Sequence, residues 1–167
     1  MIVLTLPYPV SANRYWATRV VPIKGRPMPL VYVTSDAKRY RDQVVDICTA
    51  AGVVTPLQGR IALAIRLFPH RPLDFKTRQR KLGAAWDDTV QSIDLDNANK
   101  VLLDALKGVA FEDDRWVRRL QAERMEPDEH GARVIIAIEQ LALPVVQGDL
   151  LSLTQPDVSA QHIAEAV

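Results

Sequence analysis

This chain of 167 residues is poor in the features that mark disulfide-stabilised, zinc-binding or membrane-spanning proteins. Its one cysteine, Cys48, cannot form an intrachain disulfide, which agrees with a reducing compartment. Cys48 falls on the apolar side of a predicted helix, so we expect a buried thiol and not a nucleophile. The three histidines lack the spacing of metal ligands, and no apolar run is long enough to span a bilayer.

Phosphate-binding loops, targeting segments and excess charge are missing as well. No GxxxxGK segment is present, which argues against a phosphatase or nucleotide hydrolase built on such a loop. No secretory signal is visible, so we expect a soluble, cytoplasmic protein with no membrane partner. The net charge of +1 does not by itself indicate a nucleic-acid binder. Residues 60–81, however, hold seven Lys or Arg and one Asp, a block that could follow a phosphate backbone or be a solvated loop.

The most informative segment that is present is Asp94-Leu95-Asp96-Asn97-Ala98-Asn99-Lys100. It places two carboxylates one residue apart at the start of a predicted helix, with a lysine one turn later. A second acidic group, Glu112-Asp113-Asp114, follows where that helix should end. Mg²⁺ prefers hard oxygen ligands, usually takes one or two carboxylates, and leaves its other positions to water and phosphate. The pattern therefore favours a Mg²⁺-dependent reaction on a phosphate.

An ordinary structural explanation competes with the metal site. An aspartate at a helix N-terminus caps free N–H groups and interacts favourably with the helix dipole. Lys100 and Asp104 could form a solvated ion pair, and residues 112–114 could be a polar loop. Capping requires only one aspartate, however, and a second one nearby adds a repulsion that a bound cation would relieve.

Three segments of the chain resemble the RusA family of Holliday-junction resolvases. Residues 6–16, which read Leu-Pro-Tyr-Pro and then Asn-Arg-Tyr-Trp, are similar to the opening of the family, residues 35–41 to the start of its first helix, and residues 94–114 to its core motif. The matches follow the family's order and extend over about residues 2–139. The resemblance implies a homodimeric crossover junction endodeoxyribonuclease that nicks four-way DNA junctions and depends on Mg²⁺, with Mn²⁺ as a substitute.

The resemblance also implies roles for particular residues. Asp94, Asp96 and Asp114 would bind the metal ion, with Asp113 as the alternative to Asp114. Lys100 would be the catalytic lysine. Basic and polar residues elsewhere are the candidates for DNA binding: Asn13, Arg14, Arg71, Lys76, Arg78, Arg80 and Lys81.

The resemblance implies the resolution of four-way junctions by paired symmetric nicks, in DNA recombination and repair. A nuclease with broader branched-DNA specificity and a non-catalytic DNA-binding protein stay open as alternatives. An arginine-rich run found in some family members is replaced here by Gln91-Ser92-Ile93, which affects substrate selectivity more than metal chemistry. The resemblance implies a bacterial or phage origin, with the protein in the cytoplasm and associated with the nucleoid.

The order of predicted elements favours an α+β fold with a mixed β-sheet flanked by two main helices, as one RusA-like domain over residues 1–140. Residues 141–167 are expected to be a C-terminal extension and not an independent domain, with a short helix near 160–166. Residues 69–93 should be a long irregular insertion, and residues 116–125 and 132–139 should form a β-hairpin. The other predicted elements are strands at 2–6, 18–23, 30–34 and 61–68 and helices at 35–51 and 97–107.

Overall fold

The computed structural model describes residues 1–143, and the rest of the predicted extension, including its helix near 160–166, lies outside this range. The strands are β1 (Ile2–Pro7), β2 (Trp16–Ile23), β3 (Arg26–Val33), β4 (Ile61–Phe68), β5 (Val117–Arg124) and β6 (Arg133–Gln140). The helices are α1 (Ala12–Tyr15), α2 (Ser35–Ala50), α3 (Phe75–Leu82) and α4 (Leu95–Leu106). Within the described range, no helix has the length and apolar character needed to cross a membrane.

The main sheet has four strands in the order β1-β6-β4-β5, and its mixed pairing confirms the α+β class. β6 is antiparallel to both β1 and β4, whereas β4 and β5 are parallel. The predicted hairpin of residues 116–125 and 132–139 is wrong, because β4 lies between these two strands. Most side chains of β4 are buried and most of those of β5 are exposed, so the apolar strand takes the centre and the arginine-rich strand the edge.

α2 and α4 are the two main helices. The apolar stripe of α4 is fully buried, and its residues are Ala98, Val101, Leu102, Ala105 and Leu106. The buried residues of α2 are Ala37, Tyr40, Val44 and Cys48. The prediction of a buried Cys48 is therefore confirmed, and burial raises the pKa of this thiol.

The insertion between β4 and α4 has regular structure, so the prediction of an irregular segment is wrong over much of its length. Residues 75–82 form α3, and residues 83–89 form a 3₁₀ helix. α3 has no buried residue and therefore lacks the apolar stripe by which a helix is recognised in a sequence. Trp86 anchors the segment, because its side chain is 3 % exposed and its Nε1 donates to Glu126 Oε1 at 2.8 Å.

The direction of α4 places its two ends at opposite ends of the strands of the sheet. β1 and β4 are both antiparallel to β6, so both run in the same direction and finish at the same end of the sheet. The segment before α4 lies at that end, where the Ile93 N–H donates to the Tyr8 hydroxyl just after β1. The segment after α4 lies at the opposite end, where the Ala110 carbonyl accepts from the Leu57 N–H just before β4. The two acidic segments that flank α4 are separated accordingly.

Candidate active site

Tyr8 fixes the chain just before α4. Its hydroxyl accepts a hydrogen bond from the Ile93 N–H at 3.2 Å and lies 2.9 Å from the Ser92 Oγ. Asp94 follows at the N-cap position, but its exposed side chain makes no capping hydrogen bond. Capping therefore does not occupy the Asp94 carboxylate. Sequence reasoning missed Tyr8, whose one signal is its place in the opening motif.

Asp96 and Lys100 lie one turn apart on the exposed side of α4. The Lys100 Nζ is 3.3 Å from the Asp96 Oδ2, and the two side chains are 62 % and 68 % exposed. An ion pair this exposed contributes little to stability, so both groups can change partners at small cost. Asp104, the other candidate partner of Lys100, instead accepts a hydrogen bond from the Tyr15 hydroxyl.

A second lysine contacts the acidic group at the far end of α4. The Lys107 Nζ lies 3.0 Å from the Asp113 Oδ2 and 3.2 Å from the Asp114 Oδ1. Asp113 also accepts a hydrogen bond from the Arg115 N–H at 3.0 Å and caps a short 3₁₀ turn. That N–H and the Lys107 ammonium lower the pKa of Asp113 to about 2, and the two carboxylates raise the pKa of Lys107. Asp113 therefore has a structural role, in capping the turn and pairing with Lys107, that requires no metal ion.

The predicted metal-binding carboxylates form two groups instead of one. Asp94 and Asp96 lie at the start of α4, whereas Asp114 lies beside Lys107 just past its end. From Asp96 to Lys107 an α-helix rises about 16 Å along its axis. Within residues 1–143, no three His, Cys, Asp or Glu side chains are close enough to hold one metal ion. A single chain therefore places Asp96 beside Lys100, with Asp94 two residues earlier at the N-cap, but does not bring Asp114 to them.

The groups at the start of α4 suit a hard divalent cation in their chemistry. Asp94 and Asp96 offer carboxylate oxygens, and Mg²⁺ usually takes only one or two of these from a protein. The Asn99 Oδ1, one turn after Asp96, is buried and accepts no hydrogen bond from any described residue. An unsatisfied buried acceptor is costly, and an ion or its bound water at this turn would satisfy it.

Residues 7–139 match the model of a protein family described as Endodeoxyribonuclease RusA. The chain belongs to the RusA family. No curated protein matches it. The matched range includes Tyr8, all of α4 and the acidic segment that follows it. The RusA family resolves Holliday junctions, so this protein is an endodeoxyribonuclease, and nucleases of this kind generally use a divalent metal ion.

The residues predicted to bind DNA differ in how far this RusA-family fold already uses them. Arg71 and Arg78 are ion-paired within the fold, at N–O distances of 3.5 and 2.9 Å. Arg14 pairs with Asp36 at 2.7 Å, and Asn13 is exposed beside it. Three others are exposed on α3 and form no ion pair within residues 1–143: Lys76, Arg80 and Lys81. These three offer the positive charge that a DNA backbone would contact first.

Proposed function

We propose that this RusA-family protein is a Mg²⁺-dependent homodimer that resolves four-way junctions by paired symmetric nicks, in DNA recombination and repair. The supporting observation is the exposed turn with Asp94, Asp96 and Lys100, whose carboxylates are not used for capping. A four-way junction has approximate two-fold symmetry, and a two-fold dimer presents two equivalent sites to it. Action on chromosomal or phage DNA would place the protein in the bacterial cytoplasm, near the nucleoid.

In this proposal, Asp94, Asp96 and Asp114 hold the Mg²⁺ ion, for which Mn²⁺ can substitute. When held by these carboxylates, Mg²⁺ would supply the Lewis-acid chemistry that activates a water for phosphodiester hydrolysis. Asp114 lies past the far end of α4 in its own chain. Asp114 of the partner subunit would therefore complete the set.

The chain's own residues position the substrate and stabilise charge. When Asp96 engages another partner, the Lys100 ammonium, which lies 3.3 Å from it, can turn to the scissile phosphate. There it would stabilise the negative charge that develops on the phosphate oxygens. Tyr8 holds the backbone just before Asp94 through its contacts with Ser92 and Ile93. The Asp94 carboxylate would thus project from a fixed helix start.

A nicking assay on a synthetic four-way junction tests this function, with and without Mg²⁺ and beside a linear duplex and a flap. The wild type should make paired, Mg²⁺-dependent nicks in the junction alone, and Asp96→Asn should bind the junction without cutting it. Cleavage of every branched substrate would support a broader branched-DNA nuclease. Binding without cleavage in Mg²⁺ and in Mn²⁺ would contradict the proposal and support a non-catalytic binding protein. Sedimentation analysis would test the dimer.

A further inference from the structure

The ribbon formed by β2 and β3 exposes a large apolar surface. Among residues 1–143, its two strands pair only with each other and not with the main sheet. Six of its large apolar side chains are between 38 % and 69 % exposed, namely Val20, Ile23, Met28, Leu30, Val31 and Tyr32. Four of the six, Ile23, Met28, Leu30 and Tyr32, lie on one side of the ribbon. A two-stranded ribbon is marginally stable by itself in water, and apolar side chains exposed together on one side favour a binding partner.

Apolar and basic side chains share one side of this ribbon. In an antiparallel pair, residues directly opposite each other point to the same side, and every second pair repeats that side. The pairs on the basic side are Arg19–Leu30, Val21–Met28 and Ile23–Arg26. The Arg19 guanidinium also lies 5.5 Å from the centre of the Tyr32 ring. The opposite side, which includes Val20 and Val31, has no charged residue.

The free end of the ribbon is a tight two-residue turn. Lys24 and Gly25 have φ values of 50° and 77°, the left-handed values of a type I′ hairpin turn. Such a turn matches the twist of the two strands and holds the tip in one shape. The tip therefore presents Ile23, Lys24 and Arg26 together.

The charge of the ribbon indicates which binding partner its surface fits. Residues 16–33 contain three basic residues, Arg19, Lys24 and Arg26, and no Asp or Glu. Two copies of the chain that packed through this surface would bring the same positive charges together. DNA phosphates would neutralise them and release counterions. The surface thus fits DNA better than it fits a second copy.

We propose that the ribbon is a wedge that enters the branch point of the DNA, an inference that rests on the proposed function. Arg19, Lys24 and Arg26 contact phosphates, and Ile23 and Met28 pack against the open end of a base-pair stack. A two-stranded β-ribbon fits within the major groove of DNA. Apolar wedges of Ile and Met also enter between base steps and unstack them. The ribbon would then help to hold the branch open for cleavage.

The base of the ribbon is fixed to the helix that carries the proposed site. The Thr34 Oγ1 donates to the Arg14 carbonyl at 2.6 Å, and the Thr34 N–H donates to the Tyr15 carbonyl at 3.0 Å. Tyr15 is fully buried, and its hydroxyl donates to Asp104 on α4. Asp104 lies two turns after Asp96, about 12 Å along the helix axis. A wedge anchored there would engage the same DNA molecule as the proposed site.

The test compares Ile23→Ser/Met28→Ser, called the tip variant, with a matched control. The control, Val20→Ser/Val31→Ser, removes two exposed apolar side chains from the uncharged side. Binding is measured in EDTA, without cleavage, on a four-way junction with 2-aminopurine at the branch point and on a linear duplex. The tip variant should bind the junction about ten-fold more weakly and lose the fluorescence increase that reports unstacking. Its affinity for the duplex and the junction affinity of the control should stay near wild type.

A second variant tests the phosphate contacts and is insensitive to apolar packing. Lys24→Gln/Arg26→Gln should reduce the slope of log affinity against log salt by about 2, because each phosphate contact contributes about 1. An unchanged slope, or unchanged junction affinity and fluorescence in the tip variant, would overturn the wedge. So would dissociation of a dimer by the tip variant in sedimentation, which would assign the ribbon to a subunit contact. A wild type that binds but never nicks would refute the proposed function while leaving this binding test valid.

Discussion

The two ends of α4 carry similar side chains and use them differently. At the first end, Asp96 and Lys100 form one exposed ion pair of 3.3 Å, and Asp94 makes no capping hydrogen bond. At the second end, Lys107 lies within 3.2 Å of two carboxylates, and one of them also accepts a backbone hydrogen bond. Both ends have two aspartates and one lysine, so formal charge does not distinguish them. The ends differ in the number of carboxylates that have a partner, which is one at the first end and two at the second.

This difference indicates which end is available for chemistry. Within residues 1–143, the Asp94 side chain has no hydrogen-bond or ion-pair partner, whereas both carboxylates at the far end contact Lys107. A carboxylate that the fold leaves unpartnered beside another one is repelled by it until a cation arrives. The first end is therefore suited to bind an ion directly, whereas Asp114 at the second end would have to exchange Lys107 for that ion.

Asp96→Asn and Asp94→Asn should have the largest effect on nicking. Removing a metal-binding carboxylate should lower single-turnover cleavage of a four-way junction by about a thousand-fold or more, which corresponds to about 4 kcal/mol in the barrier. Junction binding, measured by fluorescence anisotropy, should stay within about two-fold of wild type, because neither residue is basic. Glu112→Gln is the matched control, since Glu112 is exposed in the other acidic segment. Wild-type nicking by Asp96→Asn would remove the first end of α4 from the site.

Asp114→Asn should lower cleavage nearly as much, and it tests how the two ends of α4 are brought together. If Asp114 of the partner subunit completes each site, a mixture of Asp96→Asn and Asp114→Asn proteins should regain activity. Random mixing leaves about a quarter of all sites with both aspartates intact. Subunits are exchanged by mild denaturation and refolding, and single nicks are counted on a labelled junction. If the mixture stays as inactive as its parents while Asp114→Asn alone is inactive, then Asp114 acts within its own chain.

Lys100→Ala should have an intermediate effect. The loss of a charge that stabilises the phosphate in the transition state should lower the turnover rate by about 10- to 100-fold. The Mg²⁺ concentration for half-maximal activity should change little, because Lys100 is not a metal ligand. Lys107→Ala is the matched control at the other end of α4 and should lower thermal stability more than turnover. If the two lysine variants lowered turnover equally, the functional contrast between the ends would be wrong.

The fold was predictable where it depends on local patterns. The apolar stripe of α4 and the apolar run of β4 could be recognised in the sequence because each element has its own periodicity. The position of β4 between β5 and β6 could not be predicted, because strand order depends on contacts between distant segments. α3 was missed because it buries no side chain and has no apolar stripe.

The site was predictable to the same extent. Asp96 and Lys100 are four residues apart on one helix, so their pairing follows from the sequence. Tyr8 reaches Ser92 across 84 positions, and no local pattern shows that contact. The separation of Asp114 from Asp96 follows from the length of α4, but the proposed meeting of the two across a subunit contact is a prediction that one sequence does not display.

Asp113→Asn should have the smallest effect, seen in stability and not in turnover. The Arg115 N–H and the Lys107 ammonium lower the pKa of Asp113 to about 2, whereas an unfolded aspartate has a pKa of about 3.9. A depressed carboxyl pKa stabilises the fold fully above about pH 4, and this contribution is lost as the pH falls through 2. The melting temperatures of wild type and variant should thus differ most near neutral pH and converge near pH 2. The pair is exposed, so the largest difference should be small.

The pH profile separates the charge of Asp113 from its capping role. Asparagine can still accept the Arg115 N–H bond, so the variant keeps the 3₁₀ turn and loses only the interaction with Lys107. Asp128, whose pKa Arg133 also lowers to about 2, titrates in both proteins and cancels from the difference. A difference in melting temperature that stayed constant from pH 2 to pH 6 would mean that the charge of Asp113 contributes nothing. Lys107 would then balance Asp114 alone, and the far end of α4 would resemble the near end, with one lysine paired to one aspartate.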